Sequence, residues 1–346
     1  NRFHWHLTED QGWRLEIKKY PLLTAIGSKR AETVIGHNTQ IGDGTPYEGY
    51  YTQDEARDIV EYARQRHIVV VPEIDMPGHQ LAALAAMPNL GCTGGPYKVG
   101  TVWGVYDDIL CLGNEDTYKF CEDVLSELID IFPSEVIHIG GDEAPTVRVE
   151  HCPKCQALMQ REHLTPKNIQ GYFTNRIEKF VNSKGRRIMG WDEIMDGDIN
   201  TSAMVHCWRN PSFGIKAAQK GHDVVLSPTK YCYFDFYQAN PRAVHEPLAI
   251  GGYLPVDSVY NMDTMPKDIS PENRKHIIGI QANLWTEYVA VPNHAEYMLL
   301  PRMAALAENA WVKDRGPYSA FLPRLTRLKS LYDVYNLHYA NHVWKK

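Results

Sequence analysis

The stretch Val136-Ile-His-Ile-Gly-Gly-Asp-Glu-Ala-Pro145 decides the fold, because a run of β-branched residues ends in two glycines and two adjacent carboxylates. Gly140 and Gly141 lack a Cβ, so the chain can adopt torsions barred to other residues and a ligand can approach the backbone closely. Asp142 and Glu143 then follow the carboxyl end of a strand, where α/β barrels hold their active sites. The alternative interpretation is a Gly-Gly turn before a solvated acidic helix start.

Seven β-type runs alternate with helical segments along the chain, an order that predicts parallel strands joined by crossover helices. The predicted strands are Arg2–Leu7, Ile68–Ile74, Glu135–Ile139, Arg187–Gly190, Ala203–Trp208, Asp223–Ser227 and Ile277–Asn283. Thr52 and Glu55 form a capping box between the first two strands, and a last helix is predicted over residues 317–335.

Seven strands are one fewer than a (β/α)8 barrel needs, and the sequence begins inside the first of them. We therefore expect an α/β fold of the TIM (β/α)8 type, with its first strand absent from this chain. Residues 1–346 are expected to form a single catalytic barrel domain that is incomplete at its N-terminal end. Two long loops that follow strand ends, residues 75–115 and 228–271, are expected to build the rim of the cleft.

The composition suits a protein of this size with a closed core, since 44% of the 346 residues are hydrophobic. The formal charge of −6 arises from interspersed acids and bases without a long basic block, so we expect no nucleic-acid partner. No apolar run approaches the ~20 residues that a membrane-spanning helix needs. Residues 1–20 also lack the charged and then apolar layout of a signal peptide.

The seven cysteines cannot all pair within one chain, so at least one thiol is free. Cys152-Pro-Lys-Cys155 has the spacing of half a zinc site, but no second pair with fitting spacing follows it. A local disulfide or two free thiols is the favoured interpretation, and we expect no metal.

Titratable side chains follow the first two strands. The first strand ends in His4-Trp-His-Leu-Thr-Glu-Asp-Gln-Gly-Trp13, and the second ends in Glu73-Ile-Asp-Met-Pro-Gly-His79. A histidine beside a carboxylate can hold and tune a second acid, because a general acid works best with its pKa near the working pH. Each histidine alone is as often structural as functional.

Aromatic residues recur beside acids at the ends of the later strands. These ends read Trp191-Asp-Glu193, His206-Cys-Trp208, Tyr231-Cys-Tyr-Phe-Asp235 and Trp285-Thr-Glu287. Buried tryptophan is commonly core, but core packing does not require it beside acids at the same end of successive strands. Pyranose rings offer flat C–H faces and a rim of hydroxyls, so this pattern indicates a carbohydrate site.

Five of these motifs, in order and at plausible spacing, resemble the motif series of glycoside hydrolase family 20, the β-N-acetylhexosaminidases. They are His4–Trp13, Asp75-Met-Pro-Gly-His79, His138-Ile-Gly-Gly-Asp-Glu143, Trp191-Asp-Glu193 and Trp285-Thr-Glu287. The resemblance implies a TIM barrel hydrolase that removes terminal, non-reducing β-linked GlcNAc or GalNAc from chitin fragments and glycans, without metal or organic cofactor. It also implies retaining, substrate-assisted catalysis, in which the 2-acetamido oxygen attacks the anomeric carbon and gives an oxazolinium intermediate.

The resemblance also implies the roles of the catalytic residues. Glu143 would be the general acid and later the base, and Asp142 would hold the acetamido N–H and stabilise developing positive charge. Tyr233 would donate a hydrogen bond to the acetamido oxygen. His79 would link Glu143 to a carboxylate of the first motif, which we assign to Glu9.

The remaining site residues would bind substrate: Asp10, His138, Trp191, Trp208, Asp235, Trp285 and Glu287. Among them Trp191, Trp208 and Trp285 would wall the acetamido and sugar pocket. Asp235 and Glu287 would bind the hydroxyls at the 4 and 6 positions. Polymeric glycan substrates favour a periplasmic or secreted location over the cytoplasm.

The chain departs from the family pattern at three points. The first motif has Glu9-Asp10 where Asp-Asp is common, so either carboxylate could meet His79. Met262 stands where an aromatic residue is common. The family arginine that grips the sugar's 3- and 4-hydroxyls has no match here and is expected upstream of Asn1.

Three alternatives remain open from the sequence. A metal-dependent amidohydrolase could use the set His4, His6, His79, His138 and Asp142 as zinc ligands. A conventional glycosidase could pair Glu143 with Glu193 or Glu287 as two catalytic carboxylates. A sugar-binding protein on the same barrel could keep the pocket without turnover.

Overall fold

Four parallel strands form the centre of the first of two units in the computed structural model, which describes residues 1–344. This unit comprises Asn1–Ile35 and Thr39–Val205. Its strands, in the order in which they pair, are β1 (Arg2–His6), β2 (Val69–Glu73), β3 (Val136–His138) and β4 (Arg187–Trp191). The parallel register places Glu73 opposite both His6 and His138. Polar residues that end separate strands are therefore brought together.

Helices follow the strands of this unit. They are α1 (Leu22–Ala25), α2 (Gln53–Arg64), α3 (Leu81–Ala86), α4 (Glu115–Ile131), α5 (Pro153–Glu162) and α6 (Ile169–Ser183), with 3-10 turns at Pro88–Leu90, Val149–His151 and Asp192–Asp196. The predicted capping box begins α2: Glu55 N donates to Thr52 Oγ1 at 3.2 Å, and Thr52 N donates to Glu55 Oε2 at 2.8 Å. Asn114 caps α4 by accepting a hydrogen bond from Asp116 N at 3.3 Å.

Two antiparallel strand pairs complete the first unit. They join Thr8–Glu9 to Gly12–Trp13 and Lys29–Arg30 to Tyr47–Glu48. The first pair turns the chain back directly after β1, so Glu9 and Asp10 lie close to the end of that strand. Leu7 N donates to Glu73 O at 3.1 Å and holds this turn beside β2.

The second unit comprises Gly36–Asn38 and the residues from His206 onward, and the chain enters it within strand β5 (Met204–Cys207). Its strands β6 (Val224–Leu226) and β7 (Ile277–Ile280) pair in parallel, and a short parallel pair joins Phe236–Tyr237 to Gly251–Tyr253. Its helices are α7 (Pro211–Gln219), α8 (Thr229–Cys232), α9 (Val256–Tyr260), α10 (Pro292–Leu299), α11 (Arg302–Trp311) and α12 (Tyr318–Val334), with 3-10 turns at Pro271–His276 and His342–Trp344.

All seven predicted strands are confirmed; six are shorter than predicted, and β4 extends one residue further, to Trp191. The predicted strand Glu135–Ile139 is reduced to Val136–His138, because the backbone turns away at Gly140 with φ of 64°. The boundaries of a single domain over residues 1–346 stay a prediction. Within residues 1–344, no helix combines the length and apolar character that crossing a bilayer requires.

Candidate active site

The turn after β3 depends on glycine and contains strained backbone. Gly140 and Gly141 have φ of 64° and 97°, and Glu143 has φ of 45° although it carries a side chain. Left-handed torsions are costly for such residues and recur where a site requires them. A Cβ on Gly140 would lie 1.8 Å from Asp75 Oδ1, which accepts a hydrogen bond from Gly141 N at 3.0 Å. The glycines therefore let the turn pack against the carboxylate that follows β2.

The two adjacent carboxylates of this turn differ in their surroundings. The Glu143 side chain is 40% exposed, whereas that of Asp142 is only 15% exposed. Burial raises the pKa of Asp142 to about 6; the positive charge of His79 opposes this shift, and the negative charge of Glu73 adds to it. One acid can therefore reach solvent or a ligand, and its neighbour is poised between its charged and neutral forms at mildly acidic pH.

His79 lies between two pairs of carboxylates. Its Nδ1 is 2.8 Å from Glu9 Oε1 and 3.2 Å from Asp10 Oδ2. Its Nε2 is 3.5 Å from Glu143 Oε2 and 3.8 Å from Asp142 Oδ2. The structure therefore brings together the five acidic and basic residues predicted from the first, second and third strand ends. Glu9 and Asp10 share the contact with His79 that the sequence left undecided between them.

The charges of this group follow from its burial and from its contacts. Burial lowers the pKa of His79, but the charge of Glu9 and hydrogen bonds to Asp10, Glu143 and Glu9 outweigh burial and raise it well above the ordinary value. Burial raises the pKa of Glu9, but His79 and His6 outweigh this and hold it well below its ordinary range. The pKa of Asp10 is raised, chiefly by burial. The raised pKa favours the imidazolium form of His79, whose two nitrogens face the two pairs of carboxylates.

Asp10 and His138, predicted as substrate-binding residues, are buried. Their side chains are 1% and 0% exposed. Asp10 Oδ1 accepts a hydrogen bond from Leu81 N at 2.9 Å, and its other oxygen faces His79. His138 Nδ1 accepts from Gly140 N at 3.1 Å. Both residues thus contact protein groups that position the turn and the histidine.

Glu73, which the sequence motifs did not place in the site, is the centre of a second cluster. Its side chain is 0% exposed, and His4 Nε2 and His6 Nδ1 lie 2.7 and 2.9 Å from its Oε2. His138 Nδ1 lies 3.1 Å from Glu73 Oε1, to which Trp191 Nε1 donates at 3.0 Å. The signal for this cluster was a glutamate at the end of a β-branched run.

The same cluster fixes the charge states of its members. Burial raises the pKa of Glu73, but the surrounding histidines, above all the charged His6, outweigh burial and hold it well below the ordinary value. Burial lowers the pKa of His6 too, yet the charge of Glu73 raises it well above the ordinary value. Burial lowers the pKa of His138 to about 4, so this ring is neutral. A buried ion pair of Glu73 with His6 therefore underlies β1, β2 and β3.

Asp75 is a further buried acid that the sequence placed in a motif but not in the site. It is 1% exposed, and its pKa is raised well above the ordinary value by burial and by the nearby charge of Asp142. Its backbone N donates to Thr8 Oγ1 at 3.0 Å. Asp75 thus supports the turn that presents Asp142 and Glu143.

In the second unit, the predicted residues form two local groups. The rings of Trp208 and Tyr233 stack, with centroids 6.1 Å apart and planes inclined by 29°. Asp235, Trp285 and Glu287 lie together around one shallow, tightly packed depression. Burial raises the pKa of Asp235 to about 7, and the charge of Glu287 adds to this shift. These residues provide aromatic faces and acidic groups of the kind that bind sugar hydroxyls.

Among residues 1–344, the side chains that could hold a metal ion form several groups. In the first unit these include three groups that belong to the carboxylate and histidine clusters already described, and one separate group of four cysteines, Cys92, Cys111, Cys152 and Cys155. The histidines of the proposed zinc set divide between two clusters, since His4, His6 and His138 surround Glu73 and His79 faces Glu9.

The first unit thus presents an exposed carboxyl group backed by an imidazolium and flanked by a second, partly buried carboxylate. An exposed carboxyl group can exchange a proton with a bound ligand as general acid or base. A buried carboxylate beside it can stabilise positive charge that develops on that ligand, because the charge is poorly screened there.

The model of glycosyl hydrolase family 20, catalytic domain, matches residues 1–314 of the chain. A beta-hexosaminidase of Porphyromonas gingivalis is 43% identical over 342 residues, which cover 98% of this chain and 43% of that protein. A beta-hexosaminidase of Vibrio furnissii is 38% identical, and the match covers 89% of this chain and 51% of that protein.

The solved structures include a family 20 exo-β-N-acetylglucosaminidase from Vibrio harveyi in complex with N-acetylglucosamine. It has a TM-score of 0.85 and 34% identity, and the match covers 100% of this chain and 55% of that one. The chain spans about half the length of the curated relatives that it matches. The predicted α/β fold of the TIM-barrel type is confirmed by these matches.

Proposed function

The chain belongs to glycosyl hydrolase family 20, and from this membership we propose that it is a β-N-acetylhexosaminidase. The proposed reaction is exo hydrolysis of terminal, non-reducing β-linked N-acetylglucosamine or N-acetylgalactosamine, which places the protein in the degradation of chitin fragments or glycans. The observation that carries the proposal is His79 Nε2 at 3.5 Å from Glu143 Oε2, with Asp142 as the next residue. The relatives named beta-hexosaminidase support the same substrate class.

Glu143 is the proposed acid and base. In the first step its carboxyl group gives a proton to the glycosidic oxygen, while the bond from that oxygen to the anomeric carbon breaks. The 2-acetamido oxygen of the substrate forms the new bond to the anomeric carbon and gives an oxazolinium ion. In the second step the Glu143 carboxylate takes a proton from water, whose oxygen attacks the same carbon while the bond from that carbon to the acetamido oxygen breaks and restores the acetamido group. Two displacements retain the anomeric configuration.

Asp142 is the proposed partner of the acetamido group. Its carboxylate accepts a hydrogen bond from the acetamido N–H, which orients the carbonyl oxygen toward the anomeric carbon. It also stabilises the positive charge of the oxazolinium ion, and its partial burial strengthens this attraction relative to water. Asp142 performs this role in its ionised form.

His79 is the proposed link between Glu143 and the acids of the first motif. Its Nε2–H points toward the acid that loses a proton in the first step, so the imidazolium stabilises the resulting carboxylate. Glu9 and Asp10 hold the other nitrogen and keep the ring charged. Asp10 is then a positioning residue, which agrees with its burial.

The roles predicted for Tyr233, Trp208, Trp285, Asp235 and Glu287 in binding the acetamido group and the sugar remain proposals that extend this mechanism. A periplasmic or secreted location is likewise proposed from the polymeric nature of the glycans. Neither proposal is required for the acid and base chemistry of the first unit.

The test is hydrolysis of an aryl β-N-acetylglucosaminide by the whole chain, with and without a thiazoline that mimics the oxazolinium ion. We expect hydrolysis and strong thiazoline inhibition. Glu143→Gln should lower kcat by about 10²–10⁴-fold, the usual contribution of a general acid. Glu150→Gln, a change at another exposed glutamate of the same loop, should leave the rate unchanged.

Three results would each overturn the proposed function. Binding of N-acetylglucosamine without any hydrolysis would identify a sugar-binding protein. Hydrolysis that the thiazoline does not inhibit would indicate two catalytic carboxylates in place of acetamido assistance. Loss of activity with a chelator, together with normal activity of Glu143→Gln, would indicate metal-dependent chemistry.

A further inference from the structure

Four of the seven cysteines form a group of their own in the first unit, and none of them belongs to the carboxylate and histidine clusters just described. Cys92 Sγ lies 3.8 Å from Cys155 Sγ, and Cys111 Sγ lies 3.6 Å from Cys152 Sγ and 3.7 Å from Cys155 Sγ. All four sulfurs lie within 4.8 Å of one another. Each cysteine is in the free form.

These spacings match a tetrahedral metal site and do not match disulfides. The sulfurs of a disulfide are bonded at ~2.05 Å. Four sulfurs arranged as a tetrahedron around Zn²⁺, each at ~2.3 Å from the metal, are separated by ~3.8 Å from one another. The three measured sulfur pairs, at 3.6–3.8 Å, agree with the second arrangement. Each of Cys111 and Cys155 is also close to two partners, which pairwise bonding does not need.

The backbone around the cluster brings together three segments of the chain. Gly91 and Leu110 form an antiparallel bridge, and Cys111 N donates to Leu90 O at 2.7 Å, so Cys92 and Cys111 project from paired segments. Cys152 and Cys155 belong to the turn that begins α5, which starts at Pro153. Cys92 and Cys111, each from its own segment, thus join Cys152 and Cys155 of the Cys-x-x-Cys turn to make a group of four sulfurs.

Burial favours a metal over four unrelated thiols. Cys111, Cys152 and Cys155 are 1%, 4% and 0% exposed, and Cys92 is half-buried. A closed, water-poor set of four sulfurs suits a structural ion, because a catalytic zinc keeps one position open to water or substrate. Soft thiolates in a tetrahedral set select zinc over calcium or magnesium, which prefer oxygen ligands.

We propose that Cys92, Cys111, Cys152 and Cys155 bind one structural Zn²⁺. Binding converts the thiols to thiolates and releases their protons to solvent, with no change of oxidation state. The ion would tie the loop after β2 to the loop after β3. Leu110 N donates to Pro77 O at 3.0 Å, so the segment that carries Cys111 also contacts the segment that carries His79. The proposal does not depend on the proposed hydrolysis.

The test is the metal content of the whole chain, produced with zinc in the medium and purified under reducing conditions. We expect one zinc per chain after gel filtration, released when a mercurial reagent modifies the thiols. X-ray absorption should show four sulfur ligands at ~2.3 Å. Replacement of zinc by Co²⁺ should give the visible absorption of a tetrahedral cobalt thiolate.

Two cysteine variants make the assignment specific. Cys155→Ser should lose the zinc and lower the melting temperature by more than about 5 °C, because metal binding stabilises only the folded chain. Cys121→Ser, at a buried cysteine within α4 and outside the cluster, should retain one zinc. If Cys155→Ser does not fold, Cys92→Ser at the half-buried ligand and zinc analysis of the unsubstituted chain give the answer.

Several results would overturn the zinc site. The protein could contain no zinc and have four reactive thiols, or contain no zinc and have a mass lower by four hydrogens, which would show two disulfides. It could bind iron in place of zinc. Finally, Cys155→Ser and Cys92→Ser could both retain zinc. Each of these outcomes can be read without measuring glycoside hydrolysis.

Discussion

Replacement of Gly140 by alanine tests whether the turn after β3 depends on close packing against Asp75. Alanine at a φ of 64° costs ~1–2 kcal/mol from left-handed strain. Its Cβ would lie 1.8 Å from Asp75 Oδ1, so the carboxylate must move and release Gly141 N, whose lost hydrogen bond costs ~1–3 kcal/mol. Gly140→Ala should therefore destabilise the chain by ~2–5 kcal/mol in total.

Gly185→Ala is the matched control, because Gly185 has φ of 71° and a Cβ there would meet nothing within 4 Å. This variant should lose only the ~1–2 kcal/mol of left-handed strain. Urea unfolding followed by fluorescence measures both changes. Gly140→Ala should also lower kcat/KM for an aryl N-acetylglucosaminide by about 100-fold, because it displaces Asp142 and Glu143. Equal destabilisation by the two variants, with unchanged activity, would refute the packing argument.

Three further predictions concern the charged clusters. Burial raises the pKa of Asp142 to about 6, so its carboxylate becomes protonated as the pH falls and kcat/KM should decline below about pH 6. Asp142→Asn should remove this decline at acidic pH. A decline centred near the ordinary aspartate pKa of ~3.9 would contradict the assignment to Asp142. Glu9→Gln removes the negative charge that does most to raise the pKa of His79, while the burial that lowers this pKa remains. NMR titration should therefore show a lower His79 pKa in this variant. An unchanged pKa would exclude Glu9 as the main partner of His79. Trp191→Phe removes the N–H that donates to buried Glu73, so urea unfolding should show that the free energy of unfolding falls by ~1.5–3 kcal/mol. The control is Trp103→Phe, because the Trp103 indole N–H has no hydrogen-bond partner within residues 1–344, and this variant should lose less free energy of unfolding. Equal losses would show that the hydrogen bond to Glu73 is unimportant.

Much of the fold could be predicted from local patterns, because these patterns have local causes. The capping box of Thr52 and Glu55 involves residues three positions apart, and the structure contains both of its hydrogen bonds. The end of β3 is set by Gly140 and Gly141, whose torsions other residues avoid. All seven strands were found from β-type runs, although one or both ends of each moved by one or more residues.

The site was predicted less completely, because strand register and loop paths decide which side chains meet. Glu73 meets His6 and His138 only because β2 pairs with both β1 and β3 at those positions. Burial of Asp10 beneath His79 depends on the hydrogen bond from Leu81 N, 71 residues away. Cys92 and Cys111, which meet Cys152 and Cys155 in the structure, lie far from each other and from Cys152 in the sequence. A search for a second Cys-x-x-Cys pair therefore does not find them.

The buried carboxylate of Glu73 couples the residues at the ends of β1, β2 and β3, so these positions must change together in evolution. A single change that removes one of its basic or hydrogen-bonding neighbours leaves an anion short of partners in the protein interior, which is among the costliest defects a mutation can create. Simultaneous apolar replacement of the whole set has no such defect. Libraries that vary positions 4, 6 and 138 one at a time should consequently yield few stable variants, while combinatorial libraries over positions 4, 6, 73 and 138 should recover strongly epistatic solutions.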